Sequence, residues 1–281
     1  MEKLGISAIH PSAPEVLSGV ALFSAPIDID AVIVRLRQLW SIKADGEWQN
    51  VQADSENPNL VPGELYHFSE QGVQALLTPL NYPLELPGGG ALPAHVFHVP
   101  LTLFAPISKA SEGVLAGESA DASDVEKQIP ELKLRRRMVS AHILFTEIMD
   151  ALMREPAAVG VLRNELGVVQ PPQMYTEFAS SLTKGEVPLP LWVNIRTQNA
   201  GLTFGRTLGL PLFGHLDLEV RESTKTADEI YVLLADIANY LITGDSYLLP
   251  GQTLGSSAGE KLLIMQEFSP FDKNPVIRVM Y

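Results

Sequence analysis

The chain has 281 residues, 46% hydrophobic and 19% charged, which is the composition of a folded globular protein of one or two domains. It has no cysteine, which excludes disulfide frameworks, thiolate zinc sites, iron–sulfur clusters and cysteine nucleophiles. Its net charge of −13 repels phosphate backbones and disfavours nucleic-acid binding. No apolar run reaches the roughly 18 residues of a membrane helix, and the N-terminus lacks a signal-peptide pattern. We therefore expect a cytoplasmic protein without membrane contact.

The first third of the chain is predicted to form strands around one helix. Residues 17–24 predict a strand. Asp28 stands at an N-cap position, and apolar residues follow it at helical spacing from Ile29 to Trp40. Three more strands are predicted, at 64–68, 73–78 and 95–104. Pro100 cannot donate a backbone hydrogen bond, so it indicates an edge position or a bulge in the last of these strands.

A small, acidic and poorly patterned segment separates the two halves of the chain. Residues 108–130 are predicted to be a mobile connection. The connection divides the chain into an N-terminal α+β lobe, residues 1–107, and a C-terminal α+β lobe, residues 131–281. A long helix is predicted over 131–154, because apolar residues recur on one face until Pro156 ends the pattern.

The second half contains the clearest strand pattern. Leu216, Leu218 and Val220 alternate with Asp217, Glu219 and Arg221, which predicts an antiparallel strand with one face toward solvent. The other predicted strands of this half lie at 158–163, 189–197, 260–268 and 275–281.

Two further helices are indicated by their start signals. Pro171 and Pro172 open a short helix that runs through Leu182. Thr226 and Glu229 form a capping box for a longer helix, which ends at Gly244. Groups of antiparallel strands broken by helices indicate an α+β fold, with mixed, mostly antiparallel sheets and packed helices in two lobes.

Three segments resemble the bacterial family catalogued as domain of unknown function 4261, mainly over residues 90–281: LPLWVNIR (189–196), GRTLGLPLFGHLDLEV (205–220) and LLPGQTLGSSAGEKLLI (248–264). Their glycines, prolines and apolar residues specify a fold, and the resemblance implies no established activity. The family usually has acidic residues before and after the glycine of the last segment, where this chain has Pro250 and Gln252.

Gly255–Gly259 matches the G-x-S-x-G pattern of a hydrolase nucleophile elbow, with Ser257 as its serine. An elbow requires a helix after the serine and a histidine later in the chain. Residues 260–268 alternate like a strand, and His215 is the last histidine. A glycine/serine turn between two strands is therefore the favoured interpretation.

Several other polar residues have side chains that can act as ligands. His95 and His98 are predicted to face opposite sides of a strand, which disfavours a metal pair. The glycine-rich loop before His215 lacks the phosphate-loop and dinucleotide patterns, but Arg206 and His215 at its mouth are candidates to bind an anion. Asp217 and Glu219 could act as an acid/base pair in a secluded pocket, and their alternation favours the solvent face instead.

These patterns favour a non-catalytic binding or protein-interaction module of a bacterial cytoplasm. Its partner would be a protein, with a basic one favoured by the negative charge, or a small anionic ligand. The alternative is a hydrolase-type enzyme with a dispersed site near Ser257 or near Arg206 and His215. We predict no catalytic residue, no metal site and no cofactor, and the oligomeric state is left open.

Overall fold

The computed structural model describes residues 16–52, 62–86, 90–105, 130–244, 246, 248, 251, 253–255 and 261–281, with the backbone alone for 130–135. Almost all of the predicted acidic connection, and Ser257 with its turn, lie outside these residues. The described chain forms two mostly antiparallel sheets with helices, which confirms the α+β fold. It divides into an N-terminal unit, residues 16–105 and 140–186, and a C-terminal unit, residues 130–139 and 187–281.

The N-terminal unit is built on a seven-stranded antiparallel sheet with the strand order β2-β3-β4-β5-β1-β6-β7. The strands are β1 (Val16–Phe23), β2 (Gly46–Val51), β3 (Gly63–Glu70), β4 (Val73–Leu77), β5 (Phe97–Phe104), β6 (Ala158–Arg163) and β7 (Val168–Gln170). Apolar residues of β1, β4 and β5 are buried, so the core of this unit lies at the middle of the sheet.

The helices of this unit are α1 (Ile29–Trp40), α2 (Pro130–Met153), of which residues 140–153 belong to the unit, and α3 (Pro172–Ala179). The predicted cap of α1 is confirmed, since the Asp28 carboxylate accepts hydrogen bonds from the N–H groups of Asp30 and Ala31. A 3₁₀ turn, Ser180–Lys184, follows α3 and accounts for the predicted helical extent to Leu182.

The edge position or bulge predicted from Pro100 is wrong, because β5 lies inside the sheet between β4 and β1 in regular register. The β4–β5 ladder ends at the pair Leu77 and Leu101, and beyond it the Thr78 N–H donates to the Pro100 carbonyl. The N–H and C=O of one residue in an antiparallel pair point to the same neighbour. The missing N–H of Pro100 therefore faces Thr78, where the regular ladder is interrupted between the end of β4 and the Leu80–His98 bridge.

The C-terminal unit contains a six-stranded sheet with the strand order β11-β12-β13-β10-β9-β8. Only the β10–β13 pair is parallel among the described pairs of this sheet. The strands are β8 (Asn194–Asn199), β9 (Thr203–Leu208), β10 (Asp217–Ser223), β11 (Thr253–Gly255), β12 (Lys261–Phe268) and β13 (Pro275–Met280). A single turn of helix, α4 (Leu189–Trp192), replaces the first half of the strand predicted at 189–197.

One long helix, α5 (Ala227–Thr243), packs on the β8–β9 side of this sheet. Its predicted capping box is confirmed: the Thr226 hydroxyl accepts from the Glu229 N–H, and the Glu229 carboxylate accepts from the Thr226 N–H. Close approach is possible because β9 has a glycine at the contact. A Cβ atom on Gly205 would lie 2.3 Å from Ile230 Cγ2.

The units divide the chain differently from the predicted lobes, 1–107 and 131–281. Strands β6 and β7 pair into the first sheet, because β6 takes the second edge of β1. The described chain therefore changes unit within α2, between residues 139 and 140, and again between residues 186 and 187. No described helix combines the length and apolarity that a membrane crossing requires.

Candidate functional site

The sheet register of the C-terminal unit aligns four charged residues on neighbouring strands, beginning with Arg196 on β8, which is opposite Arg206. Arg206 on β9 is opposite Glu219 on β10, and Glu219 is in turn opposite Arg278 on β13. Directly paired residues project from the same face of a sheet. The predicted ligand Arg206 is therefore flanked by a carboxylate supplied by the next strand.

Arg206 is held by three groups. Its Nη1 lies 3.3 Å from Glu219 Oε1 and donates to Ser269 Oγ at 3.1 Å, and its Nη2 donates to Asp272 Oδ2 at 2.6 Å. The Ser269 hydroxyl donates to Glu219 Oε1 at 2.6 Å. The turn between β12 and β13, which carries Ser269 and Asp272, is thus attached to β9 and β10 through polar side chains.

The same network continues on the other side of Glu219. Arg221 Nε donates to Glu219 Oε2 at 2.6 Å, and its Nη1 donates to Glu267 Oε2 at 3.0 Å. Arg278 Nη1 lies 3.5 Å from Glu267 Oε1. We name the set of six charged groups and Ser269 the ionic cluster: Arg206, Glu219, Arg221, Glu267, Ser269, Asp272 and Arg278. Three guanidinium groups face three carboxylates, so the cluster is electrically balanced.

The predicted solvent exposure of Asp217 and Glu219 is wrong. Glu219 is fully buried and Asp217 is 7% exposed. Strand β10 lies inside the sheet, and its polar face is met by the arginines of the cluster instead of water. Alternation separated the two faces of β10 correctly, but it does not show what covers the polar face.

Asp217 has an environment of its own. Its Oδ1 accepts hydrogen bonds from the Thr207 hydroxyl at 2.9 Å and from the Leu210 N–H at 3.3 Å. Burial raises the pKa of the Asp217 carboxyl to about 7, although the Thr207 hydrogen bond and the nearby Arg206 act in the opposite direction. This carboxyl therefore titrates near neutral pH, in the interior of the unit.

The ionic cluster is closed to a substrate. The Ser269 hydroxyl is fully buried and already bonded on both sides, and both oxygens of Glu219 accept from cluster members. For Arg206 to bind an anion, the ligand would have to displace Asp272, whose side chain is 37% exposed. His215 is buried at the start of β10. Anion binding by Arg206 and His215 stays a prediction, and it requires an anion to replace the Asp272 carboxylate at Arg206.

An open groove lies on another face of the C-terminal unit, between α5 and the β11–β12 hairpin. Its volume is about 650 Å³. Along α5 it is lined by Asp228, Val232, Asp236 and Tyr240, which recur every four residues and so form one stripe on the helix. Leu254 of β11 and its partner Leu262 of β12 form the apolar side of the sheet wall. We name this feature the α5 groove.

The charge of the α5 groove is negative. Asp228, Glu229 and Asp236 line it, and none of its described lining residues is a lysine, arginine or histidine. Hydrogen bonds from the Thr226 backbone N–H and hydroxyl lower the pKa of Glu229, which therefore stays ionised. A single ammonium group, Lys225 Nζ, lies 4.8 Å from the centre of the Tyr281 ring at the groove wall.

Sequence reasoning missed the α5 groove, although a signal for it exists. The core-facing stripe of α5 includes Ile230, Leu234 and Leu241, all buried. Val232 and Tyr240 lie outside that stripe and are 56% and 52% exposed. Large apolar residues on the outer face of an amphipathic helix indicate a surface that contacts something other than its own sheet.

In the N-terminal unit, the prediction that His95 and His98 face opposite sides is wrong. Strand β5 begins at Phe97, so His95 lies in the preceding loop, and the two ring centroids are 6.4 Å apart. His95 Nε2 accepts from the Leu84 N–H, and His98 Nδ1 lies 2.7 Å from the Tyr82 carbonyl. Within the described parts of the chain, no three histidine or carboxylate side chains converge as metal ligands.

Residues 206–280 match the model of a protein family, domain of unknown function 4261 (DUF4261). The match confirms the resemblance to this family over residues 206–280, a shorter segment than residues 90–281. No curated protein and no solved structure matches the chain. The matched segment contains the whole ionic cluster and every lining residue of the α5 groove except Tyr281.

Proposed function

We propose that this protein is a binding module whose α5 groove takes a positively charged, partly apolar segment of a partner protein. The observation that carries the proposal is the lining itself, which combines exposed apolar side chains with three carboxylates and no cationic residue among those described. Apolar contact supplies affinity, and the carboxylates select against acidic partners.

The dimensions of the groove support this function. Ligand sites in proteins typically enclose about 300–1,000 Å³, a range that includes the groove volume of about 650 Å³. Val232 and Tyr240 on one wall face the leucines of the other, so an apolar side chain between them would be removed from water. The groove therefore suits a few side chains of a segment and not a whole domain surface.

Electrostatics support a basic partner over an acidic one. The net charge of −13 attracts cations from a distance, and this attraction falls as salt is added. The ionic cluster contributes no net charge to that field, because its arginines and carboxylates balance. Carboxylates that lack such partners, including Asp228 and Asp236 at the groove, supply the excess.

The groove lining favours binding over hydrolysis. A hydrolase of the nucleophile type pairs a hydroxyl with a base by a hydrogen bond. Thr253 supplies the only hydroxyl of the described lining outside the tyrosines, and it makes no hydrogen bond to Asp228, Glu229 or Asp236.

Fluorescence anisotropy with two labelled peptides tests the proposal. One peptide contains lysine and leucine, and the other has every lysine replaced by glutamate. We expect only the lysine peptide to bind. The D228N/D236N variant should weaken it roughly fivefold, because two exposed ion pairs are lost. The D45N/E47Q variant removes two exposed carboxylates from the N-terminal unit and should leave the affinity unchanged.

Equal binding of the two peptides, or equal loss in the two double variants, would show that the attraction is a property of the whole protein. The groove would then not be the binding site. Raising the salt concentration from 50 to 300 mM should weaken the lysine peptide more for the wild type than for D228N/D236N.

A further inference from the structure

We propose that the partner segment binds in an extended conformation, as a strand added beside β11, with basic residues four positions apart on the side that faces α5. This inference rests on the proposed function and specifies how the α5 groove recognises its partner. It follows from the edge of the sheet, from the length of the groove wall and from the spacing of its charges.

The sheet supplies a place for an additional strand. Strand β11 ends the strand order of the C-terminal sheet, and no other described strand pairs with its outer edge. All three residues of β11 line the α5 groove. A strand edge presents backbone N–H and C=O groups that an extended peptide can pair with. Successive residues of a strand face opposite sides of a sheet, so a groove that all three residues line runs past the outer edge of β11. A ligand paired with this edge would have the hairpin on one side and the helix wall on the other.

The helix wall has the length of a short strand. Asp228 and Tyr240 mark its two ends, and twelve residues of α-helix rise about 18 Å. Five residues of extended chain span about 17 Å. A five-residue strand therefore contacts the wall from one end to the other.

The charges on the wall match the repeat of a strand. Asp228 and Asp236 are eight helical residues apart, about 12 Å along the axis, and Val232 lies midway between them. On a strand, residues 1, 3 and 5 share a face, and residues 1 and 5 are about 13–14 Å apart. A segment with the pattern basic-x-apolar-x-basic therefore places its charges at the two aspartates and its apolar residue at Val232.

The probe peptide is acetyl-Lys-Thr-Leu-Thr-Lys-amide, titrated into the ¹⁵N-labelled full chain and followed by NMR. We expect shift changes at β11 and at the α5 residues that line the groove. Five further peptides each carry one N-methyl group on a backbone nitrogen. Because alternate residues of a strand point their N–H groups to the same neighbour, N-methylation should weaken binding with a period of two, about fivefold or more at the sensitive positions.

A spacing control separates strand pairing from charge attraction. Acetyl-Lys-Leu-Thr-Lys-Thr-amide has the same composition, but its lysines lie three apart and so face opposite sides of a strand. It should bind several-fold more weakly than the parent peptide.

The outcomes distinguish the two proposals. If the parent peptide binds at the groove but the N-methyl series shows no alternation, or the spacing control binds equally well, strand addition is overturned and the groove function stands. Both proposals fail if neither peptide shifts any groove resonance and the D228N/D236N variant binds the labelled lysine peptide of the anisotropy experiment as the wild type does. Alternation together with the spacing preference establishes the added strand.

Discussion

The raised pKa of the Asp217 carboxyl predicts a stability difference that depends on pH. The folded state holds this proton until about pH 7, whereas the unfolded chain releases it near its ordinary value of 3.8. Between these values the folded state binds more protons than the unfolded state. The contribution of this carboxyl to the free energy of unfolding is fully present below pH 3.8, and it is lost as the pH rises through 7.

The magnitude follows from the size of the shift. Three pKa units correspond to about 4 kcal/mol of unfolding free energy in total, of which about 3 kcal/mol is lost between pH 5 and pH 8. The Asp217→Asn variant cannot ionise at this position, and its amide oxygen can still accept from the Thr207 hydroxyl and the Leu210 N–H. The variant should therefore gain stability relative to the wild type by up to about 3 kcal/mol across that pH window.

The assay must report the C-terminal unit alone. Trp192 is buried there against Phe213, whereas Trp40 and Trp48 belong to the N-terminal unit. Protein labelled with 5-fluorotryptophan gives a separate ¹⁹F resonance for Trp192, and its loss in urea at several pH values measures the unfolding free energy. Other titrating groups are shared by both proteins and cancel in the difference.

An exposed carboxylate on the same strand provides the control. Glu222→Gln should leave the pH dependence unchanged, since the Glu222 side chain is 79% exposed and its ion pair with Arg278, at 3.9 Å, is screened by solvent. If the difference between wild type and Asp217→Asn varies by less than ~0.5 kcal/mol from pH 5 to pH 8, the buried carboxyl titrates normally and the reasoning is refuted.

Two further variants test the ionic cluster and the helix contact. Glu219→Gln removes the central charge of the cluster and leaves buried arginines unbalanced, so it should destabilise the unit by about 3–5 kcal/mol in urea unfolding, whereas Glu222→Gln should stay within ~0.5 kcal/mol. Gly205→Ala forces a methyl group to 2.3 Å from Ile230 and should lower the free energy of unfolding by about 1–3 kcal/mol. Gly255→Ala meets open space and should lower it less. Equal losses of unfolding free energy for the two variants of either pair would contradict the packing described above.

Features encoded within a few residues could be predicted from the sequence. The N-cap of α1 and the capping box of α5 each depend on residues two or three positions apart, and both are present as expected. The hydrophobic spacing of α2 and the alternation of β12 likewise gave these elements within a residue or two of their bounds. Local hydrogen bonding and periodicity are sufficient for such elements.

Features that depend on distant pairing could not be predicted. The burial of Glu219 requires β13, which lies more than fifty residues later and pairs in parallel with β10. Only that pairing makes β10 an internal strand and brings Arg278 and the Ser269 turn to its polar face. In the same way, β6 joins the first sheet because it pairs with the edge of β1 that β5 does not occupy. The local sequence pattern of neither strand indicates this pairing.

The acidic residues of the C-terminal unit fall into two populations with different consequences. Those of the ionic cluster form ion pairs with arginines and connect β9, β10 and β13 to the turn after β12. Their charge is therefore neutralised within the fold. Those of the α5 groove have no basic residue in the described lining, apart from Lys225 at its margin near Glu229, and they lie next to exposed apolar side chains. The helix wall of the groove is packed closely on the sheet, since α5 approaches β9 at Gly205. A surface that is apolar and charged with one sign favours a partner of the opposite sign, which is why the α5 groove and not the buried ionic cluster is the place to look for function.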